Sequence, residues 1–231
     1  MADPGLGTGA VSVVAWQYGH IQGGQDVQPL ADDLAGNQPG DAVRRKIQEL
    51  QPNPLLRMID RWRPKTEIHS WVIGLRGEVL TARRLTRLRG RGWLALHAIQ
   101  WATGTDIDHI AIGPAGVFSI NSKRHPGKAV WYGDREITVN GTTTHHIAAS
   151  KSEARRVSRV LSKHCGFDVP VRPVISVVHA RKLVVKNANA PVLVLEVDQL
   201  DRVLSGLTPT LSADEVTHIY GVARRAHTWS A

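Results

Sequence analysis

The sequence predicts a mixed α/β or α+β domain in which helices and strands alternate along the chain. Two segments place apolar residues at three- and four-residue spacing, one from about Trp71 to Leu88 and one from His146 to Lys163. Between and after them lie short runs rich in Val, Ile and Thr, bounded by Gly and Pro, which indicate strands. The order of helix, strands, helix, strands and a last helix is typical of this fold class.

The composition excludes several protein classes. With 231 residues, 42% of them hydrophobic and 21% charged, the chain can form a packed core. Its single cysteine, Cys165, excludes an intramolecular disulfide framework and a cysteine-only zinc site. No apolar run approaches the roughly 20 residues that span a bilayer. We therefore expect a soluble, cytoplasmic protein without a membrane partner.

The charge is divided unevenly between the start of the chain and the rest. The formal net charge is +9, but residues 1–40 contain four Asp and neither Lys nor Arg, so residues 41–231 carry +13. The first forty residues also contain eight Gly and three Pro, which predicts a flexible acidic tail. The basic remainder favours a polyanionic partner, of which nucleic acid is the most abundant.

Residues 41–68 are predicted to form a helical appendage in front of the main domain. Asp41 can cap a first helix with Val43 and Ile47 on one face, and Pro52 and Pro54 end that helix. A short apolar helix follows and reaches Trp62.

The main domain is predicted over residues 69–205. Its first helix carries an apolar stripe and ends at Gly90 and Gly92. Its predicted strands are 93–97, 106–112, 117–123, 129–132, 136–139, 169–178, 182–186 and 192–197. In the C-terminal segment 206–231, Ser212-x-x-Glu215 forms a capping box that opens a last helix, expected to pack on the domain.

The predicted hairpin of residues 106–123 brings polar residues together. If Ile112 pairs with Val117 across the turn Gly113-Pro-Ala-Gly116, Asp108 faces Asn121 and Asp106 faces Lys123. Side chains alternate along a strand, so these four residues share one side of the hairpin. The opposite side, expected to be buried, carries Ile107, Ile120 and Ser122.

This group of residue types suits metal-assisted hydrolysis of a phosphodiester. Asp108 can bind Mg²⁺, and the side-chain oxygen of Asn121 and the backbone carbonyl of Ser122 can add ligands. Lys123 can activate the attacking water or stabilise charge that develops on the phosphate. Glu78, on the first domain helix, is available as a second carboxylate.

An ordered string of short motifs resembles the nuclease-related domain (NERD), a family of the PD-(D/E)xK nuclease-like superfamily. The resemblance covers roughly residues 70–200. The string reads Gly77-Glu78, Gly92-Trp93, Ile107-Asp108-His109-Ile110, Gly113-Pro114-x-Gly116-Val117-Phe118 and Lys123. The resemblance implies a restriction-endonuclease-like three-layer core with flanking helices and a metal site, for Mg²⁺ or Mn²⁺, at one sheet edge. It assigns Glu78, Asp108 and Lys123 to the family's helix carboxylate, hairpin aspartate and motif lysine.

Position 121 departs from the family pattern, which expects Asp or Glu two residues before the lysine. Asn121 lacks that negative charge, which weakens the attraction for a divalent cation. Two interpretations follow. One is a Mg²⁺-dependent nuclease acting on DNA; the other is a catalytically weakened nucleic-acid-binding or scaffold module in a DNA-processing or defence assembly. RNA as the substrate and a homo-oligomeric state stay open.

The second predicted helix carries a basic stripe. Its members recur every four residues: Lys151, Arg155, Arg159 and Lys163. Together with Arg124, beside the motif lysine, they are candidates for contact with nucleic-acid phosphates, although a solvated helix face is the alternative. We expect His109 to be structural, since alternation turns it away from Asp108.

Overall fold

A computed structural model describes residues 32–60, 66–133, 135–187 and 190–230. The tail expected at residues 1–40 therefore lies largely outside the described residues. Its last part, residues 32–40, contacts the rest of the chain. Asp33 pairs with the guanidinium of Arg224, and the side-chain amide of Asn37 donates to the Ala98 carbonyl at 3.1 Å.

The described residues form six helices and nine strands. The helices are α1 (Asp41–Leu50), α2 (Pro54–Asp60), α3 (Glu67–Thr86), α4 (His146–Cys165), α5 (Leu200–Ser205) and α6 (Ala213–Ala223). The strands are β1 (Leu94–Gln100), β2 (Asp106–Gly113), β3 (Gly116–Arg124), β4 (Ala129–Tyr132), β5 (Ile137–Val139), β6 (Thr142–Thr144), β7 (Val171–Val178), β8 (Lys182–Val185) and β9 (Leu193–Glu196).

The strands build two mixed sheets. The larger has the order β1-β2-β3-β7-β9, with antiparallel pairing from β1 to β3 and parallel pairing from β3 to β9. The smaller has the order β6-β5-β4-β8 and includes a parallel pair, β4 with β8. The chain thus has the predicted mixed α/β class, compatible with a restriction-endonuclease-like core.

Helices cover both faces of the larger sheet. On one face, Leu85 of α3 and Leu200 of α5 pack in one cluster with Phe118. On the other face, Val157 of α4 and Ile219 of α6 pack against the sheet. A sheet buried on both sides explains why β2 and β3 read as nearly continuous apolar runs in the sequence.

The β2–β3 hairpin has the predicted register. Ile112 pairs with Val117, and the ladder continues to the pair of His109 and Ile120. The turn is tighter than the expected four residues, because Gly113 and Gly116 themselves pair.

One predicted helix cap forms and another does not. Asp41 is the first residue of α1, behind Gly40, and does not cap the helix with its side chain. Ser212 and Glu215 form the predicted capping box at α6. Thr66 caps α3, so this helix runs across the boundary expected at residues 68 and 69. Val43 and Ile47 of α1 pack on Ile68 and Val72 of α3. Within the described parts of the chain, every helix is too short or too polar to cross a bilayer.

Candidate nuclease site

The candidate site lies where β2 and β3 stop pairing with each other. The backbone pairing of β2 with β3 ends at His109 and Ile120. Beyond this point a side chain takes over: Oδ2 of Asp108 accepts a hydrogen bond from the backbone N–H of Ser122 at 2.7 Å. The N–H and C=O of one strand residue point to the same side, so the Ser122 carbonyl is also directed towards β2. A half-buried carboxylate and the backbone of Ser122 therefore lie together at this point.

Glu78 reaches the site because α3 lies unusually close to β3. A Cβ on Gly77 would lie 3.3 Å from Cβ of Arg124, so glycine permits this approach. Glu78 is 8% exposed. Burial first, and then repulsion by Asp108, raise the pKa of Glu78 to about 8, while Lys123 opposes the shift. Because the charges of Asp108 and Lys123 both act on Glu78, these three residues form one electrostatic group.

Lys123 and Asn121 are joined to a third residue on α4. Nζ of Lys123 donates to Oδ1 of Asn121 at 3.1 Å, and Nδ2 of Asn121 donates to Oε1 of Glu153 at 2.8 Å. The hydroxyl of Ser119 donates to the same Glu153 oxygen. Sequence reasoning missed Glu153; its signal was a lone carboxylate next to the buried stripe of an amphipathic helix.

Burial also raises the pKa values of the other two carboxylates, Asp108 and Glu153. It raises the pKa of Asp108, opposed by the charge of Lys123 and by the Ser122 N–H. It raises the pKa of Glu153 as well, opposed by the bond from Ser119, and Asp108 adds repulsion. Asp108 thus acts electrostatically on carboxylates of both α3 and α4, which flank it.

Two details of the predicted hairpin face are wrong. The β2–β3 ladder ends at His109 and Ile120, so the predicted pairs of Asp108 with Asn121 and of Asp106 with Lys123 are not part of it. Asp106 pairs with Gln100 on β1 and is exposed. Ile107 and Ile120 are both buried but pack in different clusters, on opposite faces of the sheet. The alternation fails where Ala98, opposite Asp108 on β1, has a φ of 49°.

His109 is fully buried, as expected for a structural histidine, and belongs to a chain of buried polar side chains. The chain crosses from β1 to β7 through the side chains of His97, His109, Ser122, Thr81 and Ser176, with successive contacts of 2.9, 3.2, 2.9 and 3.0 Å. It fixes β3 to α3 on the side opposite Asn121 and Lys123. Burial lowers the pKa of His97 to about 4 and that of His109 well below its usual value.

The basic stripe on α4 lies away from Glu153. Residues two apart on a helix differ by about 200°, so Lys151 and Arg155 point to the flank opposite Glu153. Arg155, Arg159 and Lys163 are exposed, and Lys151 is half-buried. Arg124 lies at the end of β3 against α3, and its Nε is buried without a hydrogen-bond partner.

The donor chemistry of the site fits a hard divalent cation. Glu78, Asp108 and Glu153 provide carboxylate oxygens, and Ser122 provides a carbonyl, which are the ligands that Mg²⁺ prefers. Among the described residues, however, no three His, Cys, Asp or Glu side chains already stand in a metal-holding arrangement. The side chains instead bond to neighbours, Asp108 to Ser122 and Glu153 to Asn121.

Comparison with known proteins finds a match to one family model. Residues 73–178 match the family model of the nuclease-related domain, NERD. No curated protein and no solved structure gives a significant match. The matched range begins within α3, ends with β7, and contains Glu78, Asp108, Asn121, Lys123 and Glu153. Residues 73–178, a little under half of the chain, are therefore similar to the nuclease-related domain.

Proposed function

We propose that this domain hydrolyses phosphodiester bonds of DNA with the help of Mg²⁺ or Mn²⁺. The observation that carries the proposal is that Asp108 of β2 bonds to the Ser122 N–H of β3 where the β2–β3 ladder ends. The helix that carries Glu78 packs closely against β3 at Ser122 and Arg124, the two neighbours of Lys123. A buried carboxylate, Glu78, and a half-buried one, Asp108, beside an ammonium group suit a site that holds a cation and a phosphate together. The net charge of +13 on residues 41–231 supports a polyanionic substrate.

Glu78, Asp108, the Ser122 carbonyl and Asn121 would hold the cation. When bound, a divalent cation lowers the pKa of a coordinated water and polarises the phosphate. The Ser122 N–H holds one oxygen of Asp108, Oδ2, and the other oxygen takes no part in that bond. Because Gly77 allows close packing of α3, Glu78 is carried on a rigid element instead of a loop.

Lys123 has two tasks in this proposal. Its ammonium group stabilises negative charge that develops on the phosphate as the bond breaks. Its charge also favours the ionised forms of Glu78 and Asp108, which burial disfavours. Asn121 orients Lys123 by accepting its hydrogen bond at 3.1 Å.

A second candidate function is a non-catalytic nucleic-acid-binding or scaffold module of a DNA-processing or defence assembly. The neutral Asn121 favours it, since β3 then contributes no side-chain charge to a cation. The exposed Arg155 and Arg159 favour it as well, because they can contact phosphates without chemistry. In either case we propose a cytoplasmic location, which a single cysteine suits.

A plasmid-cleavage assay separates the two functions. The wild type should cut DNA with Mg²⁺ or Mn²⁺ and not with EDTA, and Lys123→Ala should lower the rate by about 100-fold. Lys182→Ala, an exposed lysine on β8, is the matched control and should leave the rate unchanged. Circular dichroism checks that each variant is folded.

The absence of cleavage by the wild type with either metal would refute the hydrolase. If salt-sensitive DNA binding then persists, the binding module is the correct function. If neither cleavage nor binding occurs at low salt, the scaffold role is favoured.

A further inference from the structure

Glu153 is the one acidic residue of α4, and it faces the catalytic strand. Two donors on β3, the Ser119 hydroxyl and Nδ2 of Asn121, bond to Oε1 of this carboxylate, the latter at 2.8 Å. Oε2 takes part in neither bond. Both donors lie on the same side of β3 as Lys123, so Glu153 belongs to the site and not to the outer surface of the helix.

The contact joins Glu153 to the position where the family pattern expects an acidic residue. Asn121 is neutral, so β3 brings no side-chain charge to a cation. The oxygen of Asn121 is already engaged by Nζ of Lys123 at 3.1 Å, and its nitrogen is engaged by Glu153. The nearest negative charge to position 121 along these bonds is therefore the Glu153 carboxylate.

Asp108 connects this carboxylate to the rest of the cluster. Its charge acts on Glu153 from one side and on Glu78 from the other, so the three acids share one neighbourhood. They come from β2, α3 and α4, three elements held rigidly by the layered core. One lysine, Lys123, is close enough to act on all three. Arg44 also acts on Glu78, but the three carboxylates still outnumber these two positive charges, which favours a divalent cation.

We propose that Glu153 supplies, from α4, the carboxylate ligand that position 121 lacks, and that Asn121 positions Glu153 and Lys123 through its two hydrogen bonds. Compared with the family pattern, the carboxylate comes from α4 instead of β3 but serves the same site. The inference rests on the proposed metal-dependent function. It also implies that the neutral residue at position 121 does not by itself disable the site.

Exchanging the carboxylate and the amide between positions 153 and 121 tests this assignment. Binding of Mn²⁺ is measured by isothermal titration calorimetry for the wild type, Glu153→Gln and the double variant Asn121→Asp/Glu153→Gln. Glu153→Gln should weaken binding by about tenfold or more. The double variant should regain most of that affinity, because it restores one carboxylate and keeps a carboxylate–amide hydrogen bond. Glu136→Gln, an exposed glutamate outside the site, should bind as the wild type does.

The outcomes separate this inference from the function on which it rests. Unchanged affinity in Glu153→Gln, or no recovery in a folded double variant, overturns the role of Glu153 and leaves the nuclease untouched. Binding with recovery but without DNA cleavage supports Glu153 and refutes the hydrolase. A wild type that binds no Mn²⁺ refutes both. If Glu153→Gln does not fold, the double variant alone decides, with wild-type affinity supporting the assignment and lost affinity overturning it.

Discussion

His97 and His109 face each other across β1 and β2 with their Nδ1 atoms 2.9 Å apart. One ring must donate and the other accept, so at least one of these two nitrogens is unprotonated. Both side chains are at most 9% exposed, and burial lowers the pKa of each. Arg89 adds to the shift at His97. The pair is therefore a neutral bridge inside the core, one strand position away from Asp108.

The first prediction concerns stability in acid. The pKa of His97 falls from 6.5 to about 4 on folding, so the unfolded chain binds a proton more readily between these pH values. The contribution of His97 to stability is then fully present above pH 6.5 and falls by about 1.4 kcal/mol per pH unit between pH 6.5 and pH 4. His97→Asn should remove this contribution and reduce the slope of urea midpoints against pH in that interval, while His109 keeps its own. An unchanged slope in the variant would contradict the burial of a neutral His97.

The second prediction concerns the buried hydroxyl of Thr81. It joins Ser122, at 2.9 Å, to Ser176, at 3.0 Å, in the middle of the polar chain. Thr81→Val keeps the shape but leaves both serines short of a partner, which should cost about 1–3 kcal/mol in the free energy of unfolding.

Thr86→Val on the same helix is the control for Thr81. Thr86 is exposed, and its hydroxyl bonds only locally to the Ala82 carbonyl. The control should change stability by about 0.5 kcal/mol or less. If urea unfolding shows similar losses of stability in both variants, the chain of buried hydrogen bonds through Thr81 does not stabilise the fold as proposed.

The third prediction compares two glycines of α3. Gly74→Ala should stabilise the fold by up to about 1 kcal/mol, because a Cβ there meets nothing within 4 Å and alanine favours helix. Gly77→Ala should lose that gain, because its Cβ would lie 3.3 Å from Cβ of Arg124 and 3.8 Å from Cβ of Ser122. Urea midpoints measure the difference. Equal stabilisation by the two substitutions would show that α3 does not depend on close packing at Gly77.

The fourth prediction tests whether the basic stripe of α4 contacts DNA. Arg159→Glu should weaken binding uniformly across sequences and reduce the slope of log K against log salt by about 1. Arg202→Glu makes the same charge change on α5, a helix on the opposite face of the sheet, and both arginines are exposed. Fluorescence anisotropy with a labelled duplex measures both slopes. Equal effects of the two changes would reduce the stripe to a solvated helix face.

The sequence was sufficient for features that depend on near neighbours. Alternation and a short turn predicted the pairing of Ile112 with Val117, and the spacing of Ser212 and Glu215 predicted the capping box. Both depend on backbone geometry over a few residues, which sequence pattern specifies directly. The motif string from Glu78 to Lys123 similarly led to the family that residues 73–178 match.

Tertiary structure decided which side chains meet. Asn121 and Glu153 are 32 residues apart, with β4, β5 and β6 between them in the chain. They come into contact because α4 packs across β3 and β7. The break in alternation opposite Ala98, which separates Ile107 from Ile120, also has no local signal. Periodicity identifies the buried face of a helix but not the strand it covers, because that choice depends on the packing of the whole core. The sequence alone thus determined a nuclease-related hairpin with a neutral Asn121, and the fold placed the carboxylate of Glu153 beside it.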